Sequence, residues 1–434
     1  MRLLVLVDGE HYPPVVRDAI AAIKHSGREV VGAMFCGGTE KVDVNLDDAY
    51  GVEVVHGTDL LATLREAIDR FRPDAVLDCT DEPVLTSEDR FRLASVALSK
   101  GVAYGGADFE LRPPNFADVL RKASISIFAT GKRTGKTAVA SALARHAAGR
   151  GHTPVIVAVG RGGPNPPRVI EAGTALDPRV LLDLVDEGQH ASSDYVEDAL
   201  TSGVTTIGCV RVGGGLAGAT VSSNMAAGAR MAEERDEDLV ILEGSGASVP
   251  EVRAGSGIVV VPATMDPSMV GSYLNPYRLL LADLAVVTMA EEAPAAAATT
   301  AAILGSVPDL DVIQVVFRPE PLADVNGRKV FFCTTAPEGA GSVLQAHLEG
   351  THGCDVVGMS HRLADRKALR AELEEAPEHD LVLVELKAAA VDVAVRAAAD
   401  KGTDVVFVNN ELVGTGIEGA FDRVIELASK RARS

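Results

Sequence analysis

The chain has 434 residues, with 41 Lys and Arg against 61 Asp and Glu, a net charge of −20 before any His is counted. That length implies about two to four domains, and a composition of 47% hydrophobic and 24% charged residues excludes wholesale disorder and collagen-like repeats. A surface this acidic repels nucleic acid and anionic lipid at long range, so a phosphate-bearing ligand needs a local basic pocket. Neither a nucleic-acid nor a membrane partner is expected.

The N-terminus, MRLLVLVDGEHYPP, is apolar for only six residues before Asp8 and Glu10, unlike a signal peptide, and no later apolar run is long enough to span a membrane. Five cysteines (Cys36, Cys79, Cys209, Cys333, Cys354) include no CxxC pair, which argues against a zinc ribbon or disulfide framework and favours the cytoplasm.

From there, short apolar runs alternate with helical stretches to the end, the pattern of an α/β protein with mainly parallel sheets. LLVLV (3–7), EVVGAMF (29–35), VEVV (52–55) and DAVLDC (74–79) read as strands of a Rossmann-like unit, with helices near 13–25, 59–71 and 87–100. GGADFELRPPNF (105–116), with its paired prolines, marks a boundary or strap. A second unit begins at SISIFAT (124–130) and continues through strands at 154–160, 204–210, 238–244, 257–262 and 283–289. APAAAATTAAIL (293–304) reads as a helix, because Ala has the highest helix propensity and Pro suits the first turn. A third unit carries strands at 312–317, 329–335, 354–359, 380–386 and 404–410, and the tail reads as a closing helix whose Lys430, Arg431 and Arg433 complement its dipole. The expected architecture is a central P-loop NTPase parallel-sheet domain (123–292) flanked by an N-terminal Rossmann-like domain (1–122) and a C-terminal α/β domain (293–434).

The sharpest signal is ATGKRTGKTAVASALARH (129–146), where a strand hands over to a helix. Thr130, Gly131, Lys132, Arg133, Thr134, Gly135, Lys136 and Thr137 form a P-loop in which backbone amides converge on phosphate oxygens and the helix N-terminus adds partial positive charge. Lys136 is placed to bridge the β- and γ-phosphates of ATP, and Thr137 to offer its hydroxyl to Mg²⁺. The usual first glycine is replaced by Thr130. Glu243, ending the strand DLVILE, supplies the opposing carboxylate, since ligands of an open parallel sheet sit at strand carboxyl ends. This pair resembles the dethiobiotin-synthetase and cobyrinate-amidation group of P-loop ligases, which implies a metal-ATP enzyme that activates an oxyanion by phosphorylation.

Further strand ends look built for anions. GRGGPNPPRVIE (160–171) joins Arg161 and Arg168 to two glycines, and VRVGGGLAGAT (210–220) sets Arg211 before Gly213, Gly214 and Gly215. Glycine amides can form an anion-binding concavity and Arg a bidentate fork. Asp8 and His11 crowd the end of the first strand, and Asp81 and Glu82 another. TTAPEGAGS (334–342) reads as a phosphate seat or, by preference, a plain helix start.

The order of LVDGEHYPP, TGKRTGKT, GRGGP, RVGGGLAG, LEGSG, MAEE, VVFRP and VFFCTTAP resembles the cyclic 2,3-diphosphoglycerate synthetase family over nearly the whole chain. The resemblance implies that ATP and Mg²⁺, with K⁺ left open, close a phosphoanhydride between the two phosphates of 2,3-bisphosphoglycerate, releasing ADP and phosphate. On the residue readings above, Lys136, Arg161 and Arg211 are the expected catalytic residues, Asp8, His11, Arg161, Arg168, Arg211, Gly213 and Gly214 are expected to bind the phosphorylated substrate, and Thr137 and Glu243 the metal. A homodimer is expected. Two alternatives stay open at this point: a carboxylate-activating ligase, and a nucleotide-driven switch ATPase.

Overall fold

A computed structural model describes residues 1–38, 40–41, 46–186, 194–387 and 390–432; Arg433 lies outside them. The N-terminal unit contains β1 (Arg2–Val7), β2 (Glu29–Phe35), β3 (Val54–His56), β4 (Ala75–Asp78), β5 (Ala103–Gly105) and β6 (Glu110–Leu111). They lie in the order β3-β2-β1-β4-β5-β6, parallel except for β6. The chain reverses its winding between β1 and β4, so the crevice at their carboxyl ends is where this architecture keeps a ligand.

The second sheet contains β7 (Ala123–Ala129), β8 (Pro154–Gly160), β9 (Arg168–Ile170), β10 (Thr205–Val212), β11 (Ser222–Ser223), β12 (Leu239–Glu243), β13 (Ser256–Pro262) and β14 (Leu284–Thr288). It continues through β15 (Asp311–Pro321), β16 (Lys329–Cys333), β17 (Asp355–Ser360), β18 (Leu381–Glu385) and β19 (Asp404–Gly414). Its order is β11-β10-β8-β12-β7-β13-β14-β15-β19-β18-β16-β17, with β9 beside β10. Strands β7, β8, β12, β13 and β14 are buried along their lengths, apart from Ala123 at the start of β7, because helices cover both faces; their sequences are accordingly unbroken apolar runs.

The expected α/β class holds, and most strands fall within a residue or two of their expected bounds. The connection between the second and third units differs from an ordinary linker. Strand β15 pairs parallel with β14 through Asp311–Gln314 and then antiparallel with β19 through Val315–Pro321, so one sheet runs across the expected division after residue 292. The helix Ala293–Ser306 forms as expected. The closing helix Ile417–Arg431 packs back on β7, burying Ala420, Phe421, Val424, Ile425 and Ala428. Arg431 pairs with Asp283 at 3.0 Å, and Lys430 with Glu426.

The phosphate-loop helix, Lys136–Gly149, is buried on nearly all sides. Its KTAVASALARHAA sequence suits that position: small Ala side chains let the sheet, the helix Asp194–Ser202 and the closing helix approach together. The N-terminal unit docks through its helix Ser87–Ser99 against Asn275–Leu280, where Ala217, Leu274 and Tyr277 join its core. Among the described residues no helix is long and apolar enough to cross a membrane.

Candidate active site

Thr130 to Thr137 bridge the end of β7 and the first turn of the helix. Gly135 is the helix N-cap at φ +89°, a left-handed conformation that glycine adopts without Cβ strain. A Cβ there would also collide with the Phe317 ring. The Lys136 ammonium is turned inward, donating to the Gly246 carbonyl at 3.1 Å and more distantly to Gly131 at 3.5 Å. Burial lowers its pKa, against the opposing pull of Glu243.

Strand β12 lies beside β7, with Glu243 opposite Ile127. Thr137 Oγ1 donates to Glu243 Oε1 at 2.8 Å. Burial raises the Glu243 pKa, and the negative field of Asp194 adds to it. The Asp198 carboxyl lies within hydrogen-bonding reach of Glu243 and has its pKa raised well above the carboxylate range, first by burial and then by Glu243. Among the described residues, Glu243 Oε2 and Asp198 Oδ2 are buried without a hydrogen-bond partner. Two facing carboxylates call for a shared proton or a cation. A Thr hydroxyl with two carboxylates is a hard, all-oxygen donor set of the kind that suits Mg²⁺.

Sequence reasoning passed over Asp198, Glu197 and Asp194, which lie on the helix Asp194–Ser202, and Lys387, which follows β18. Lys387 approaches Glu197 at 3.3 Å. Burial opposes its charge, but Glu197 and Glu385 outweigh that and raise its pKa, while burial pushes Glu197 up to about 8. The signal for Lys387 was present: a charged residue at the end of an apolar strand, as with Glu243. For Asp198 the carboxylate sits mid-helix, and only the helix packing brings it to the loop.

The basic residues divide into groups. Arg161 stands close enough to Lys132 and Arg211 to lower the pKa of each, with burial the larger cause for Arg211; these three converge beside the loop. Arg211 is buried, donating to the carbonyls of Gly213 (2.5 Å) and Ser245 (2.7 Å), while its Nε has no hydrogen-bond partner among the described residues. Gly213 sits at φ +75° and Gly214 lies beside the guanidinium. Arg133 is exposed at φ +58°. Arg168 belongs to edge strand β9, opposite Gly208. In the GRGGP segment, a Cβ on Gly163 would collide with the Cys209 carbonyl, so backbone packing against β10 requires that glycine. Buried Arg278, also passed over, bonds to Ala247 and Leu216 carbonyls and so ties the loop after Glu243 to the glycine-rich loop.

Asp8 and His11 form a separate cluster in the β1/β4 crevice. Asp8 is fully buried; its Oδ1 meets His11 Nδ1 at 2.8 Å, and its Oδ2 accepts from the Asp81 amide at 3.0 Å. His11 Nε2 lies 3.3 Å from Asp81. Burial works against Asp8 ionisation, but the Asp81 and His11 hydrogen bonds prevail and lower its pKa. In the TTAPEGAGS turn, Glu385 accepts from Thr334, the Thr335 amide and the Thr335 hydroxyl, so an internal carboxylate already fills that turn.

Three family models cover the chain in succession: the cyclic 2,3-diphosphoglycerate synthetase N-terminal domain over residues 2–112, its P-loop domain over 124–316 and its C-terminal domain over 321–411. The chain belongs to the cyclic 2,3-diphosphoglycerate synthetase family. The relative of that name from Rubrobacter xylanophilus is 44% identical over 437 residues, covering 99% of this chain and 98% of its own. The one from Methanothermus fervidus is 41% identical over 448 residues, covering 98% and 97%. Among solved structures, LpxK from Aquifex aeolicus in complex with ATP matches at a TM-score of 0.41 and 12% identity, covering 73% of this chain and 90% of that one. The family is one of ATP-dependent synthetases, and this chain is an enzyme of that type.

Proposed function

We propose that this enzyme uses ATP to close an intramolecular phosphoanhydride in 2,3-bisphosphoglycerate, giving cyclic 2,3-diphosphoglycerate, ADP and phosphate. The observation that carries the reading is the buried set of Lys136, Thr137 and Glu243 at the mouth of the loop, within a chain that matches the family along nearly its whole length.

Two polyanions must meet in a protein of net charge −20. Each pair of unit charges about 4 Å apart repels by about 4 kcal/mol at an effective dielectric near 20. Lys132, Arg161 and Arg211 supply local positive charge where that repulsion is greatest, with Gly213 and Gly214 presenting backbone beside Arg211. Arg168 and the Asp8–His11 pair are assigned to the substrate side, with the N-terminal unit closing over the site to exclude water.

Lys136 and the loop amides of Thr130–Thr137 hold the ATP phosphates. Thr137 and Glu243, with Asp198, would hold Mg²⁺, whose charge would neutralise that of the phosphates. One substrate phosphate oxygen attacks the γ-phosphorus in line and ADP leaves; an oxygen of the neighbouring phosphate then attacks the activated phosphorus, forming the ring and expelling inorganic phosphate. Both nucleophiles are already ionised at neutral pH, so the protein's task is positioning and charge neutralisation rather than deprotonation. All five cysteines are free, in keeping with the cytoplasm, where ATP is supplied.

The carboxylate-activating alternative shares the loop but would make an acyl phosphate. An ADP-release assay across phosphorylated and carboxylic acids tests the choice: release should require 2,3-bisphosphoglycerate, and release driven equally by an unphosphorylated dicarboxylate would refute it.

A further inference from the structure

We infer that Glu320, His347 and His352 form a binding site for a borderline-soft divalent transition metal, of the Zn²⁺ or Co²⁺ kind, separate from the ATP-side metal position. His347 and His352 lie on the helix Gly341–His352, and Glu320 on the antiparallel half of β15. One potential ligand atom from each lies within 4.8 Å of the other two.

The cluster has the marks of a ligand set rather than of a satisfied ion pair. His352 Nε2 is buried and has no hydrogen-bond partner among the described residues, although Glu320 Oε2 stands 3.4 Å away. The two imidazoles meet edge to face at 5.5 Å between centroids, so both rings present to one small volume. The His347 ring also contacts the Pro319 carbonyl, and its Nδ1 lies 3.4 Å from Thr351 Oγ1. Carbonyl and hydroxyl contacts of this sort fix the ring plane of metal-binding histidines. Arg318, the nearby cation, is engaged by Glu291 and the Phe317 carbonyl.

Two imidazoles and one carboxylate match the donors that Zn²⁺ and Co²⁺ accept and leave a fourth position for water, whereas Mg²⁺ prefers oxygen alone. Bound metal would staple the helix to β15, the strand whose Phe317 ring covers Gly135 of the phosphate loop.

The test uses the full chain stripped by chelator and held in excess Mg²⁺ to fill the hard site. Titration with Co²⁺ should give visible d–d absorption of low-coordinate N/O ligation at one equivalent, bleached by Zn²⁺, with a rise in thermal midpoint. His352→Ala, His347→Ala and Glu320→Gln should each weaken Co²⁺ binding at least about tenfold, with unaltered circular dichroism and ATP binding as the folding control. No Co²⁺ absorption, or absorption that survives the His347→Ala/His352→Ala double variant, would overturn the inference. If a histidine variant does not fold, Glu320→Gln alone decides, because loss of its carboxylate must change the Co²⁺ spectrum.

Discussion

The Lys136 ammonium donates to the Gly246 carbonyl at 3.1 Å, so the P-loop lysine is held by the loop that follows Glu243. Arg211 grips the same loop at Ser245. Lys136→Ala should reduce turnover by about 10²–10³-fold or more while leaving the fold intact. Lys136→Arg should not restore it, because a planar fork cannot replace a compact ammonium in a buried slot. Steady-state ADP release with circular dichroism checks both; a variant with near-normal turnover refutes the assignment.

Gly135→Ala is expected to inactivate the enzyme. The left-handed φ costs an L-residue about 1–2 kcal/mol, and collision with Phe317 adds about 1–3 kcal/mol of overpacking. Phe317→Leu in the same chain relieves the collision but not the backbone strain. ATP affinity and denaturant midpoint should therefore recover only in part; full recovery would show that the strain is negligible.

The buried carboxylates predict a pH dependence. Glu197 (about 8), Glu243 and Asp198 have folded-state pKa values above their unfolded ones. Their stabilising contribution is complete below the unfolded carboxylate range and is lost as pH rises through the folded values. Carboxylates with lowered pKa, such as Asp8 and Asp238, already contribute fully above about pH 5. Metal-free protein should thus lose stability between about pH 5 and 8, and Mg²⁺ should flatten the decline by displacing the protons. Urea unfolding across that range, with and without Mg²⁺, measures it; a metal-free curve that rises with pH would be inconsistent.

Lys387→Met strands Glu197 in the interior. Because burial raises the Glu197 pKa and Lys387 is the charge that holds it down, Glu197 can take up a proton in the variant, and the loss of stability should be smaller at low pH than at high. A double-mutant cycle with Glu197→Gln should give a coupling of about 0.5–3 kcal/mol, and zero coupling would mean the pair is incidental.

Much of the framework was legible because parallel strands buried on both faces read as continuous apolar runs, PVIVAVG being matched residue for residue by β8. The P-loop was legible because its chemistry is local in sequence. The β15–β19 pairing was not, since it joins residues about ninety apart in sequence. Asp198 was missed for a related reason: it becomes meaningful only when helix packing brings it to Glu243, whereas Lys387 stood at a legible strand end whose partner, Glu197, lies on a distant helix. Asp8 and His11 were correctly seen as a crowded strand end, but the chain gave no sign that they would bond to Asp81 across the crevice.

The most direct test is ³¹P NMR of the purified enzyme with Mg-ATP and 2,3-bisphosphoglycerate. The account predicts equal amounts of ADP, inorganic phosphate and a new phosphoanhydride signal derived from the bisphosphoglycerate, all absent with Lys136→Ala. ATP consumed at the same rate without bisphosphoglycerate, or with no new phosphoanhydride resonance, would contradict it.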